Sequence, residues 1–349
     1  MAKKISIIGA SGYTGGELLR LSLVHPEIEV SQITSERFKG ISAFRLNPNL
    51  RGFTKLEFTS VKELSNDVDT IFICTPHKTA APYVQRFWET GAKIIDLSAD
   101  FRLHSKDAYA KYYQQHPCPE MLDKAVYGIP ELHRDKIKAA RLVACAGCLA
   151  TSSILVAAPL VKSKLIDSST LLLDSKIGSS AGGAGFDIST HHPERSGTVR
   201  SYKPTGHRHT AEIEQELSEI SGSPVSVSFT PHGVEMVRGI LTTAHAKLSG
   251  KFADVDFWKA YRSFYASSPF VRFVKDQNTL YRYPEPKPVI GTNFADIGFE
   301  IDVEKQRVVA MCAIDNLVKG SAGQAIQNFN LMNGFDEKTG LWQPGFHPI

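Results

Sequence analysis

The sequence predicts an α/β chain with a doubly wound parallel-sheet domain first and a mixed α+β domain after it. Three observations carry this. Short apolar strands alternate with helical patterns up to Cys148, the arrangement that parallel sheets require. A glycine-rich turn joins the first strand directly to the first helix. Beyond Cys148 a long apolar helix is followed by longer strands. The 349 residues exceed what one hydrophobic core covers, so two domains are expected. Their expected bounds are 1–147 and 148–315, with 316–349 returning to the first domain.

The elements follow from pattern. Residues 3–8 read as a strand, and apolar residues recur at helical spacing from Glu17 to Val24, which together make a βα unit. Strands follow at Glu29–Thr34, Thr70–Cys74 and Lys93–Leu97, with helical segments between them. An apolar helix is expected over Thr151–Val161, then strands over Ser169–Lys176, Val225–Thr230 and Gly239–Leu248. A last helix is expected over Ser321–Met332, packed against the first domain. The polar, glycine-rich stretch from Gly178 to Gly206 is too long for a plain connection and reads as a functional loop.

Composition narrows the class. With 42% apolar and 22% charged residues the chain matches a compact globular protein. The N-terminus enters a strand at once, so no signal peptide is read there. No run approaches the roughly 18 apolar residues of a membrane span. A cytoplasmic protein without membrane contact is expected. Five scattered cysteines make a disulfide framework unlikely to be the design and leave thiols for chemistry. A net charge of +4 gives no reason to expect nucleic acid but suits an anionic substrate or partner.

Gly9-Ala-Ser-Gly-Tyr-Thr-Gly15 lies where backbone N–H groups and a helix dipole can cradle a phosphate. Its spacing is GxxGxxG, which is less specific than GxGxxG. At the end of the second strand stand Thr34, Ser35, Glu36 and Arg37. Hydroxyl and guanidinium suit a 2′-phosphate, whereas Glu36 suits ribose hydroxyls; the balance favours NADP(H).

Cys148 falls between Gly147 and the apolar helix. A thiol at a helix N-terminus has its thiolate favoured by the dipole, and the N–H groups of the turn can hold an oxyanion. Cys145 and Cys148 form a CxxC, but zinc takes four ligands and no second pair is present, so no metal is expected. His207-Arg-His209 at the head of a further helix offers a proton-transfer group and a guanidinium for an anion. Spacing leaves open which histidine acts.

These segments, with Asp96-Leu-Ser-Ala-Asp-Phe-Arg102, Tyr127-Gly-Ile-Pro-Glu-Leu132 and His207-Arg-His-Thr-Ala-Glu212, run in order through nearly the whole chain. Together they resemble the N-acetyl-γ-glutamyl-phosphate reductase family. The resemblance implies a Rossmann-type domain, an α+β catalytic domain of the semialdehyde dehydrogenase type, NADPH as reductant and a homo-oligomer, dimer or tetramer. It places Ser11, Gly12, Tyr13 and Thr14 at the pyrophosphate, Thr34, Ser35 and Glu36 at the adenosine ribose, and Asn316 near the nicotinamide. It makes Cys148 the nucleophile, with His207 or His209 as acid and base, and Arg102, Arg208 and Glu212 at the substrate.

One departure matters. Family members usually continue from the cysteine as Tyr-Pro-Thr, and here Cys148 is followed by Leu-Ala-Thr151. This resembles the branch in which aminoadipate or glutamate phosphate is linked through its amino group to a small acidic carrier protein, in lysine and arginine biosynthesis. Arg195, Arg200, Lys203 and Arg208 are expected to meet that carrier. Two other enzyme readings stay open: the acetylglutamyl enzyme of ordinary arginine biosynthesis, and aspartate-semialdehyde dehydrogenase. From another class, so does a non-catalytic NADP-sensing regulator. Chain length, five or six carbons, is not readable.

Overall fold

The computed structural model describes residues 2–348 and divides into two compact units. One runs up to Ala146 and includes Ser321–Trp342; the other comprises Gly147–Gly320 with the chain from Gln343.

In the first unit β1 (Lys3–Ile8), α1 (Tyr13–Leu23) and β2 (Ile28–Thr34) make the opening βα unit. They are followed by α2 (Ala43–Leu46), β3 (Phe58–Thr59), β4 (Thr70–Ile73), α3 (Ala81–Thr90) and β5 (Lys93–Asp96). Then come α4 (Lys106–Tyr112), β6 (Ala125–Tyr127), α5 (Pro130–Ala139) and β7 (Leu142–Ala144). The strand order is β3-β2-β1-β4-β5-β7-β6, and every pairing is parallel. Strand β4 is buried along its whole length, as a parallel sheet covered on both faces demands. The order reverses between β1 and β4, which creates a crevice at their carboxyl ends where ligands of such sheets bind. Helix α1 starts at Tyr13, one residue after Gly12, several residues earlier than its apolar pattern indicates.

The second unit opens with α6 (Cys148–Lys162), of which thirteen residues are buried, the mark of a helix enclosed on all sides. After β8 (Leu172–Ile177) come α7 (His192–Arg195), β9 (Val199–Ser201) and α8 (His209–Ser221). Next are β10 (Ser228–Val234), β11 (Ile240–Lys247), α9 (Asp254–Phe264), β12 (Val271–Phe273), β13 (Ala295–Asp302) and β14 (Arg307–Ile314). They form a mixed sheet in the order β12-β13-β14-β11-β8-β10-β9. Burial alternates along β10 and β11, so one face is covered; α6 lies against β8, β11 and β14. The expected strand at Ser169 begins later, at Leu172, because Asp167 caps a single 3₁₀ turn over Ser168–Thr170.

Pro159 lies inside α6 and has no N–H for the carbonyl of Leu155. Tyr265 Oη donates to that carbonyl at 2.6 Å, and Tyr261 Oη donates to Val156 O at 2.6 Å. The helix is therefore held from its own backbone by α9 and the residue after it.

The final helix α10 (Gly323–Asn333) belongs to the first unit and packs on α1, α5 and β5. Its buried polar residues bind backbone: Gln324 Oε1 accepts from Ala146 N at 3.1 Å, and Asn328 Nδ2 donates to Gly128 O at 3.1 Å. No helix among the described residues is long and apolar enough to cross a membrane.

Candidate active site

Each unit holds one half of the chemistry. In the first, the three glycines of the turn have different tasks. Gly9 has φ +79°, and a Cβ there would lie 2.6 Å from Cys74 O; a Cβ on Gly15 would lie 2.5 Å from Gly9 O. These two permit the turn and the close approach of α1 to β1. A Cβ on Gly12 would meet nothing nearer than Gly9 O at 4.0 Å. The space beside Gly12 is therefore open, as a cradle for pyrophosphate must be. Ser11 and Thr14 are half-buried and Tyr13 is exposed along the same rim.

At the end of β2, Thr34 Oγ1 accepts the Gly9 N–H at 3.2 Å, and Ser11 Oγ donates to Ser35 Oγ at 2.8 Å. Thr34 and Ser35 thus tie the turn to the strand end. Glu36, expected at the ribose, is exposed; its carboxylate accepts from Ser60 Oγ at 3.0 Å and from Val61 N at 2.8 Å, at the start of the 3₁₀ turn Val61–Glu63 that Ser60 caps. Hydroxyls and the exposed Arg37 remain at this rim, a set that fits a 2′-phosphate.

The segment Asp96–Arg102 is buried apart from none of its charged members: Asp96 and Asp100 are fully enclosed and Arg102 is 5% exposed. Burial and the nearby Asp100 push the Asp96 carboxyl up to about 7. Asp100 accepts from Lys78 N at 2.6 Å, Ala80 N at 2.8 Å and Tyr109 Oη at 3.0 Å, which holds the loop after β4 with Lys78 at φ +74°. Arg102, expected at the substrate, donates Nε to Cys145 O at 2.8 Å and Nη2 to Leu97 O at 3.0 Å. Those bonds fix the chain on its way to the nucleophile.

In the second unit Cys148 is the first residue of α6, half-exposed, with Gly147 as N-cap. The other thiols are poor nucleophiles. Burial pushes Cys145 up to about 12 and Cys118 up to about 11. Cys74, though only half-buried by surface, is pushed well above its ordinary value by desolvation and by Cys145 and Asp96. Gly320 abuts Cys148: a Cβ there would lie 2.7 Å from Cys148 Cβ.

His209 opens α8 and its ring lies against Gly147, where a Cβ would come within 2.5 Å of Nε2. Glu212 differs from expectation. It is 1% exposed; Oε2 accepts from Gly147 N at 2.9 Å and Oε1 lies 3.8 Å from His209 Nε2. It therefore ties the first turn of α8 to the residue before Cys148. His207 Nδ1 accepts from His209 N at 3.1 Å, which puts the ring proton of the neutral form on Nε2. Burial, then Arg208 and Lys203, depress His207 to about 3. Arg208 is exposed. Asn316, expected near the nicotinamide, is 2% exposed and accepts from Gly239 N at 2.8 Å while donating to Ser180 Oγ at 3.0 Å. It braces the start of β11.

Pattern did not single out Tyr202. Partial burial, then the nearby Cys148, push its phenol up to about 12, although the residue as a whole is 46% exposed. It belongs to the Gly178–Gly206 stretch, which is ordered into 3₁₀ turns, α7 and the edge strand β9 and lines a cavity with His207 and Arg208.

A phosphate cradle at the sheet reversal of one unit and, in the other, a half-exposed cysteine at a helix start beside a histidine and a glutamate are features of the class of nucleotide-dependent dehydrogenases. The comparisons agree. Residues 4–140 match the semialdehyde dehydrogenase NAD-binding domain, and 148–316 match the semialdehyde dehydrogenase dimerisation domain. Aspartate semialdehyde dehydrogenase II of Vibrio cholerae shares the fold, with a TM-score of 0.73 over 96% of this chain and 99% of that one at 13% identity. A protein of Sulfurisphaera tokodaii, described as LysW-L-2-aminoadipate/LysW-L-glutamate phosphate reductase, is 47% identical over 99% of both chains. One from Caldivirga maquilingensis, provisionally given the same description, is 51% identical over 97% of this chain and 98% of its own. The chain belongs to this family of carrier-linked aminoadipate and glutamate phosphate reductases.

Proposed function

We propose that the protein reduces a carrier-linked 2-aminoadipate 6-phosphate, and the glutamate 5-phosphate analogue, to the semialdehyde with release of phosphate. The observation that carries the reading is Cys148, half-exposed at the start of α6 with the His209 ring against its preceding residue. Cys148 Sγ attacks the acyl carbon; the C–S bond forms as the C–O bond to the phosphoryl group breaks, and phosphate leaves with the electron pair. Bound NADPH supplies hydride to the acyl carbon. The C–S bond then breaks, which frees the aldehyde and returns the thiolate. His209 holds and moves the proton at Nε2, since His207 stays neutral far below the working pH. The N–H groups at the start of α6 offer donors for the developing oxyanion.

The open space at Gly12 and the hydroxyls of Ser11 and Ser35 fit a nicotinamide dinucleotide. With Glu36 engaged by Ser60 and Val61, NADPH is the favoured form. The partner is the acidic carrier that bears the substrate, met by Lys203 and Arg208; the assembly is a homo-oligomer in the cytoplasm. The test is NADP⁺ reduction with phosphate and either carrier-linked or N-acetylated semialdehyde, run beside Cys148→Ser. Turnover confined to the carrier-linked aldehyde supports the reading. Preference for the acetylated one returns the protein to ordinary arginine synthesis, and undiminished activity in Cys148→Ser sinks the covalent route.

A further inference from the structure

Within the second unit a cavity of about 190 Å³ is lined by Arg195, Arg200 and Arg208, with Tyr202 and the hydroxyls of Ser179 and Thr190. None of its lining residues is Asp or Glu. Arg195 and Arg200 are half-buried, whereas Lys203 and Arg208 are exposed. Arg195 and Arg200 thus form the inward pair of the four cations, with Arg208 on the exposed rim of the same cavity and Lys203 outside its lining.

The inward pair is held by neutral groups. Arg195 Nη2 donates to Ile177 O at 2.8 Å, and Arg200 Nη2 donates to Glu194 O at 2.9 Å. Arg195 Nε is buried with no hydrogen-bond partner among the described residues. Its guanidinium lies over Gly233 of β10, where any side chain would collide with Nη1. Arg86 and Arg141 are held by carbonyl oxygens, whereas Arg134 and Arg272, likewise half-buried, pair with a carboxylate, Glu337 at 2.9 Å and Asp296 at 2.6 Å. Two neighbouring guanidiniums turned into a cavity without one carry uncompensated charge, which is costly unless a ligand neutralises it.

We propose that Arg195 and Arg200, with Gly233 making room, form a carboxylate subsite that takes the free α-carboxylate of the 2-amino-dicarboxylate chain. This rests on the proposed function. The phosphate is joined through its bridging oxygen to the carbon that Cys148 attacks and so must lie near the thiol. His207 lines the same cavity as Arg195 and Arg200, its ring lies 4.7 Å from that of His209, and the His209 ring lies against Gly147, the residue before the thiol. The guanidinium pair thus shares a cavity with the histidine next to the group beside Cys148, where the remote end of the substrate belongs. A fork of guanidinium donors matches a carboxylate in a bidentate manner, and its position relative to Cys148 measures the chain.

The test uses the whole protein and carrier-free probes. Alkylation of Cys148 by iodoacetamide is followed by mass spectrometry while N-acetyl-2-aminoadipate, its α-carboxamide or inorganic phosphate protects the thiol. The acid is expected to protect at a concentration about 10- to 100-fold lower than the amide. Arg195→Gln and the charge-neutral Gly233→Ala should both erase that preference, Arg195→Lys should keep part of it, and protection by phosphate should persist in all three. Equal protection by acid and amide, protection by neither, or loss of phosphate protection in Arg195→Gln overturns the proposal. Turnover of the carrier-linked substrate is measured separately, so failure of the carrier reading and failure of this subsite give different results.

Discussion

Glu212 Oε2 accepts the Gly147 N–H at 2.9 Å, while its other oxygen lies 3.8 Å from His209 Nε2. One buried carboxylate thus braces the residue before Cys148, the proposed nucleophile, and faces His209, the proposed proton carrier. Glu212→Gln keeps an acceptor oxygen but removes the charge, and a charge-assisted bond is worth about 1.5–3 kcal/mol. A fall in kcat of about 10- to 100-fold is expected with KM for the carrier-linked substrate nearly unchanged. Steady-state kinetics beside a melting curve check this; an unchanged kcat would remove Glu212 from the machinery.

His207 and His209 should separate in their pH behaviour. His207 is depressed from 6.5 to about 3, so its neutral state contributes stability that is present above pH 6.5 and drains away as pH falls from there toward 3. His207→Gln should flatten the acid side of the stability curve over that interval while leaving the acid limb of the pH–rate profile in place. His209→Gln should remove that limb and lower kcat at least about 100-fold. If His207→Gln abolishes the limb, the roles are reversed.

Much of this was legible in the chain. The Gly9–Gly15 turn follows an apolar strand and precedes a helix, and Cys148 opens an apolar run that is buried on all sides, so backbone chemistry and periodicity placed the turn and the thiol at the helix starts where the structure has them. Strands β6, β7, β9 and β12 have three residues each, too few for any period to register. Glu36 illustrates a second limit: its partners Ser60 and Val61 are more than twenty residues away, and only tertiary structure brings them to it. The inward turn of Arg195 depends on Gly233 in the same way, since a glycine in a strand does not announce which side chain will cross it.

The proline in α6 yields a stability prediction. Tyr265 Oη is the donor that replaces the missing Pro159 N–H at Leu155 O. Tyr265→Phe would leave that buried carbonyl without it, at a cost of about 1–3 kcal/mol. Denaturant unfolding should show a lower midpoint with an unchanged slope. A variant as stable as the parent would mean that another donor reaches the carbonyl.

The glycine turn offers the sharpest separation of fold from function. Gly15 is packed so that a Cβ would lie 2.5 Å from Gly9 O and 2.6 Å from Ala10 Cα, whereas a Cβ on Gly12 meets only Gly9 O at 4.0 Å. Gly15→Ala must push α1 off β1, so it should lower Tm by several degrees, about what 1–3 kcal/mol of overpacking produces. Gly12 has φ −80° and ψ 169°, which alanine adopts freely, so Gly12→Ala should melt with the parent. Its methyl would instead occupy the space where the backbone meets the pyrophosphate. KM for NADPH should rise about 10-fold or more, while iodoacetamide still alkylates Cys148 at the parental rate. Were Gly12→Ala to bind NADPH as tightly as the parent, the dinucleotide would have to approach the sheet elsewhere than at this turn.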